Sequence, residues 1–276
     1  MKQRIITAAV GLALLLVVLF FFNTWIFNFA VALIAGVAVF ELLQSAGIIK
    51  NRLLSAAALV FAVLVPFFRT PGFNLLGRAS VLLYILALFV ILLYRHETLK
   101  FEQVAITFTS SLLVPFSFSC LIYMRDQFER DGLFYVLLVF AGAWFADAGG
   151  YFVGRIFGKH KLSPKISPNK TIEGAVGGVL FDVVFYLLMG LCYWLYQKQM
   201  GVLVEIHYIQ LGILGAVTAV IGMIGDLSAS AVKRQYGVKD FGTIFPGHGG
   251  VMDRFDSVLF VAPFLYIALQ ILTLVS

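Results

Sequence analysis

The chain has 276 residues, 61% of them hydrophobic and only 12% charged, with a formal net charge of +6 and a mean hydropathy of +0.98. A soluble domain carries about 25% charged residues, so this composition excludes a water-facing globular fold, and equally a disordered, collagen-like or disulfide-stapled chain. It leaves an all-α, polytopic helical integral membrane protein, because a helical span needs about 20 apolar residues at ~1.5 Å rise each.

Run length and charged punctuation predict nine transmembrane helices, over roughly 5–22, 25–44, 53–68, 79–94, 104–124, 132–150, 174–196, 207–226 and 255–275. The third and fourth runs are short. Lys2 and Arg4 precede the first run as in a signal peptide. The next apolar run follows almost at once and no small-residue cleavage site intervenes, so an uncleaved span is expected. With the N-terminus cytoplasmic, only Arg69, Arg78, Arg125, Arg130 and Lys198 of the 20 basic residues fall outside. This excess on the inner side is the positive-inside pattern. It accounts for the net charge without nucleic acid, for which no binding motif is present. Cys120 and Cys192 lie inside apolar runs and read as small core residues.

Two regions follow. Residues 1–131 hold spans one to five and are nearly featureless; residues 132–276 hold spans six to nine, with cytoplasmic loops at 151–173 and 227–254. Glu41, near the inner end of span two, reads either way. Asp147, Asp182, Asp226, Asp253 and Asp256 stand out, because a carboxylate within a span costs a few kcal/mol and usually faces a polar cavity. The expected topology brings them toward the inner face, and Asp253 and Asp256 share one side of a helix. Singly, each could cap a helix or pair with an arginine. Together they repel unless a cation joins them, and oxygen ligands suit a hard ion such as Mg²⁺.

Cations surround the same face. Arg155, Lys159, Lys161, Lys165 and Lys170 precede a helix start near Thr171, an arrangement that suits phosphate. Attraction to anionic lipid explains the charge equally well, but not the polar run Ser167, Pro168, Asn169, Lys170, Thr171. The last loop is denser, with Lys233, Arg234, Lys239 and Asp240, then Pro246, Gly247, His248, Gly249 and Gly250, then Asp253, Arg254 and Asp256. Glycines let the backbone approach an anion, lysine and arginine supply positive charge, and carboxylates hold a metal bridging phosphates. These are the parts of phosphoryl transfer. A P-loop, an HExxH helix and a Ser-His-Asp arrangement are all missing from the sequence, which favours direct attack by one substrate on another.

The stretch from Asp226 to Asp256 resembles the signature of the phosphatidate cytidylyltransferase (CDP-diacylglycerol synthase) family. Ser230, Lys233, Arg234, Lys239, Asp240, Pro246, His248, Gly249, Gly250, Asp253, Arg254 and Asp256 all fall on its fixed positions. Asp147, Tyr151, Gly154 and Arg155 are similar to a second family segment, with Ala148 where threonine is usual. Ser167 to Gly174 matches a third. The resemblance implies the reaction of CTP with phosphatidic acid to give CDP-diacylglycerol and pyrophosphate, with Mg²⁺ as cofactor, a second cation left open, and a homodimer.

It implies catalytic roles for Asp226, Lys233, Arg234, Lys239, His248, Asp253, Arg254 and Asp256. Asp226, Asp253 and Asp256 would be the metal ligands. Ser167, Asn169, Lys170, Thr171, Gly249, Gly250, Asp147 and Tyr151 would bind substrate. Asp182, with Asp147, would line the lipid cavity or support the site from behind. The expected location is a bacterial plasma membrane, with the active site facing the cytoplasm and membrane lipid as a partner. Rival readings are a related enzyme with another acceptor, such as a CDP-archaeol synthase or a polyprenol-type lipid kinase, an ion-coupled transporter, and a membrane scaffold. The polar groups crowd one face, which disfavours the transporter, and no pair of matching broken helices is seen. A scaffold has no need of the signature.

Overall fold

The computed structural model describes residues 2–69, 74–247 and 249–276. Long apolar runs have become long helices. In chain order they are α1 (Lys2–Phe20), α2 (Trp25–Ser45), α3 (Arg52–Leu64), α4 (Asn74–Tyr94), α5 (Phe101–Phe128), α6 (Gly132–Phe157), α7 (Ile172–Gln199), α8 (Tyr208–Gln235), α9 (Met252–Phe255) and α10 (Val258–Ala268). Among the described residues, α2 and α4 to α8 are the six long and apolar enough to cross a membrane. The protein is an all-α integral membrane protein with one small addition. Strands β1 (Lys161–Ser163) and β2 (Ser167–Thr171) pair antiparallel between α6 and α7.

The expected spans at 5–22, 53–68 and 255–275 fall on shorter apolar helices. The last is helical only over Val258–Ala268. After it the chain turns and extends, and Ser276 and Glu205 exchange backbone bonds of 2.9 and 3.1 Å. Two helices run on where loops were expected. α6 continues to Phe157 and α8 to Gln235. Arg155 sits in the last turn of α6, and Lys233 and Arg234 in that of α8. Cations there complement the negative end of the helix dipole, so charge extends these helices past their apolar cores.

Polar caps set several starts. The Thr24 hydroxyl accepts the Ile26 N–H at 3.2 Å, Asn51 Oδ1 accepts the Leu54 N–H at 3.3 Å, and the Thr171 hydroxyl accepts the Gly174 N–H at 3.1 Å. Each satisfies one of the amides that a helix start leaves unpaired.

The chain divides into two compact units. One holds Met1–Tyr123 with Gln235–Arg254, the other Met124–Arg234 with Phe255–Ser276. In the first, α2, α3 and α4 pack together, with Phe61 of α3 and Tyr84 of α4 stacked at 4.1 Å. In the second, α6 and α7 lie close along much of their length. Small residues allow this. A Cβ on Gly178 would meet the Ala146 carbonyl oxygen at 2.5 Å, and one on Gly174 would meet the Gly150 oxygen at 2.7 Å. Gly150 and Gly154 on α6, and Gly174 and Gly178 on α7, have the four-residue spacing by which helix backbones approach in lipid. That approach sets Asp147 of α6 beside the head of α7.

Candidate active site

The second unit gathers an acidic and basic cluster. Asp147 lies on α6, Asp226 on α8 and Lys170 on β2, one residue before the α7 cap. The Lys170 ammonium bonds the Asp226 carboxylate and reaches Asp147 Oδ1 at 3.3 Å. Burial alone would lower the Lys170 pKa. The two carboxylates outweigh it, and the pKa lies above the ordinary lysine value. Asp256, in the break between α9 and α10, is buried and within electrostatic range of Asp226, Lys233 and Asp147. Its Oδ1 accepts the Ser257 N–H at 2.8 Å.

The hairpin brings the rest of the 167–171 run alongside. Asn169 is exposed on β2 and Ser167 half-buried. Thr171 is buried, because its hydroxyl faces inward as the α7 cap. Arg234, at the end of α8, donates from Nε to the Ile166 carbonyl at 3.3 Å and so ties α8 to the hairpin turn. Tyr151 is exposed on α6, where its hydroxyl accepts from Arg155 Nη1 at 3.0 Å. Glu173 holds the other end of the hairpin. It accepts the Lys159 and His160 N–H groups at 3.1 and 3.2 Å, and His160 Nδ1 lies 2.6 Å from it.

Asp182, one of the carboxylates singled out by sequence, is fully buried in α7. Its Oδ2 accepts from the Thr218 hydroxyl of α8 at 3.3 Å, while among the described residues Oδ1 has no hydrogen-bond partner. Nearby, the Tyr186 hydroxyl donates to the Leu138 carbonyl at 2.7 Å.

In the first unit, the signature loop is built around Asp253. Its Oδ2 accepts the Phe241 N–H at 2.8 Å and the Gly250 N–H at 2.9 Å, so one carboxylate oxygen ties the two ends of the loop. Gly249 has φ +83°, in the left-handed region, and a Cβ there would meet Asp253 Oδ2 at 2.8 Å. Lys239 and Arg254 are exposed. His248 lies outside the described residues.

Glu41, ambiguous in the sequence, has a defined place in the structure. It is 1% exposed on α2, and Oε1 and Oε2 accept the Val251 and Met252 N–H groups at 3.0 and 2.8 Å. A lone acidic residue near a helix end carries no signal of a partner 210 positions away. Glu173 was legible only as part of a motif, with no sign that it grips the hairpin.

Among the described residues, no three His, Cys, Asp or Glu side chains form a ready-made metal cluster. The donor chemistry nonetheless suits a hard cation. Asp147 and Asp226 share one positive charge already, that of Lys170, with Asp256 close enough to add to their field.

Long apolar helices carrying this charged polar cluster define a polytopic membrane protein. Residues 2–272 match the Cytidylyltransferase family. The chain belongs to that family and is therefore a nucleotidyltransferase. It is 35% identical to the phosphatidate cytidylyltransferase of Bacillus subtilis (strain 168) over 278 residues, covering 98% of each chain. It is also 35% identical over 279 residues to the protein of that name from Staphylococcus haemolyticus, covering 98% of this chain and 99% of the relative. The Staphylococcus epidermidis protein of the same name is 36% identical over 276 residues, with the same coverage.

Proposed function

We propose that this protein is a phosphatidate cytidylyltransferase of a bacterial plasma membrane, with its active site on the cytoplasmic face. A phosphate oxygen of phosphatidic acid attacks the α-phosphorus of CTP. The bond from that phosphorus to the β-phosphate bridging oxygen breaks, pyrophosphate leaves, and CDP-diacylglycerol remains in the membrane. The observation that carries this reading is the unbroken signature from Asp226 to Asp256, in a chain similar over nearly its whole length to proteins of that name.

Asp226 and Asp256, with Asp253 assigned by sequence alone, would hold a divalent cation, Mg²⁺ by donor chemistry. The chemistry such an ion would supply is neutralisation of phosphate charge. A second cation is compatible with so many carboxylates. Lys233, Arg234, Lys239 and Arg254 neutralise the triphosphate, and Lys170 moves its charge from the carboxylates to an incoming phosphate. Ser167, Asn169 and Thr171 shape the nucleotide turn, and Asp147 and Tyr151 line the same side. The glycines Gly249 and Gly250 offer backbone amides, and His248 shapes the phosphate pocket. Catalysis here is positioning plus charge neutralisation, with no covalent protein intermediate. The family resemblance supports a homodimer.

Transfer of label from CTP labelled at the α-phosphate into phosphatidate-containing micelles tests the proposal. Label that requires both Mg²⁺ and phosphatidate is expected. Label that forms equally well on another lipid acceptor in place of phosphatidate overturns the assignment of substrate.

A further inference from the structure

We infer that Glu41 is a positioning residue for the signature loop, fixing from α2 the backbone that carries Asp253. The inference rests on the function proposed above for that loop. Glu41 is buried and, among the described residues, no ion pair to it is formed. A buried carboxylate without a countercharge is strongly disfavoured unless hydrogen bonds satisfy it. Here two consecutive backbone amides do so, Val251 and Met252, the residues directly before Asp253. Glu41 therefore sets the direction from which Asp253 leaves the loop.

The loop is shaped to receive this carboxylate. A Cβ on Gly242 or on Gly250 would collide with the Glu41 side chain. One turn further along α2, the Ser45 hydroxyl lies 3.4 Å from the Phe241 carbonyl, though its shorter bond, 2.9 Å, is to the Glu41 carbonyl. Two carboxylates thus act in series. Asp253 joins Phe241 to Gly250 and closes the loop on itself, while Glu41 fastens the closed loop to a helix. An apolar residue would suit a buried helix face better, and would leave both amides without acceptors.

The test compares the full-length protein with Glu41→Gln, Glu41→Leu and Gly250→Ala in detergent–phosphatidate micelles. Glutamine keeps the shape but presents an NH₂ to one of the two amides. Loss of an outer partner of a metal-holding group costs about 10- to 100-fold. Glu41→Gln should therefore lower kcat by about that factor and raise the Mg²⁺ concentration for half-maximal rate, with the phosphatidate KM within about twofold. Hydrogen exchange read by mass spectrometry supplies a readout independent of activity. Peptides covering 241–253 should exchange faster in all three variants, while peptides from α7 stay unchanged.

Unchanged exchange in the loop, or loss of activity only in proportion to loss of folded protein with unchanged Mg²⁺ dependence, overturns the inference. If the wild-type protein transfers no cytidylyl group, the proposed function fails, and the exchange measurement still decides whether Glu41 anchors the loop.

Discussion

Lys170 and Asp226 form an ion pair that joins the strand before α7 to the C-terminal half of α8, and Asp147 of α6 shares the same ammonium. One cation thus bridges three elements, α6, β2 and α8. Removing it leaves two carboxylates facing each other. Lys170→Met should lower kcat/KM by about 100-fold, the scale for losing one preorganised charge at a transferring phosphate. Steady-state kinetics with varied CTP checks this, and Lys170→Arg should recover part of the loss. The pair is partly exposed, so its contribution to stability is only about 1 kcal/mol.

The same pair bears on pH. The folded-state pKa of Lys170 is raised, so its stabilising charge is fully present below the unfolded lysine value of about 10.4 and is lost only as pH rises through the higher folded value. A pH–rate profile should show no limb from Lys170 between about pH 6 and 9. A limb in that window that moves on Lys170→Arg would contradict this.

Thr171 was read from sequence as a substrate contact, and its hydroxyl caps α7. Thr171→Ala should cost about 1 kcal/mol of stability, and Thr171→Ser much less. Thermal unfolding in detergent compares them, with Gly174 amide exchange as a local check. A turnover loss in Thr171→Ser at wild-type stability would show that the methyl group, not the cap, matters for activity.

Close packing of α6 on α7 predicts a contrast between glycines. Gly178→Ala drives a methyl against the Ala146 carbonyl and should destabilise by about 1–3 kcal/mol. Gly11→Ala meets nothing within 4 Å and should be neutral or stabilising by up to about 1 kcal/mol, through helix propensity. Melting temperatures of the two variants separate these outcomes.

The helices α5, α7 and α8 were legible because apolar runs of membrane length announce themselves. The continuation of α6 through Phe157 was not, because Gly154, Arg155 and Gly158 read as loop residues in isolation. Gly154 serves close approach to α7, which only the partner helix reveals. The hairpin at 161–171 was hidden among lysines and prolines that signal a loop. The early end of α10 was not legible because an apolar run looks the same whether it spans as helix or, past Ala268, turns to pair with residues 205–207. At the site, the residue types were legible from the signature. The link from Glu41 to Val251 and Met252 was not, since no local pattern encodes it.

The most direct measurement is incorporation of α-labelled CTP into phosphatidate micelles by wild-type protein and Asp253→Asn. Asparagine can still accept the Phe241 and Gly250 amides through its carbonyl oxygen, so the loop should survive while the negative charge is lost. The account predicts Mg²⁺- and phosphatidate-dependent label for wild type and none above background for the variant, with both proteins equally folded. Equal labelling by the two would remove Asp253 from the chemistry and contradict the assignment of the signature loop as the catalytic centre.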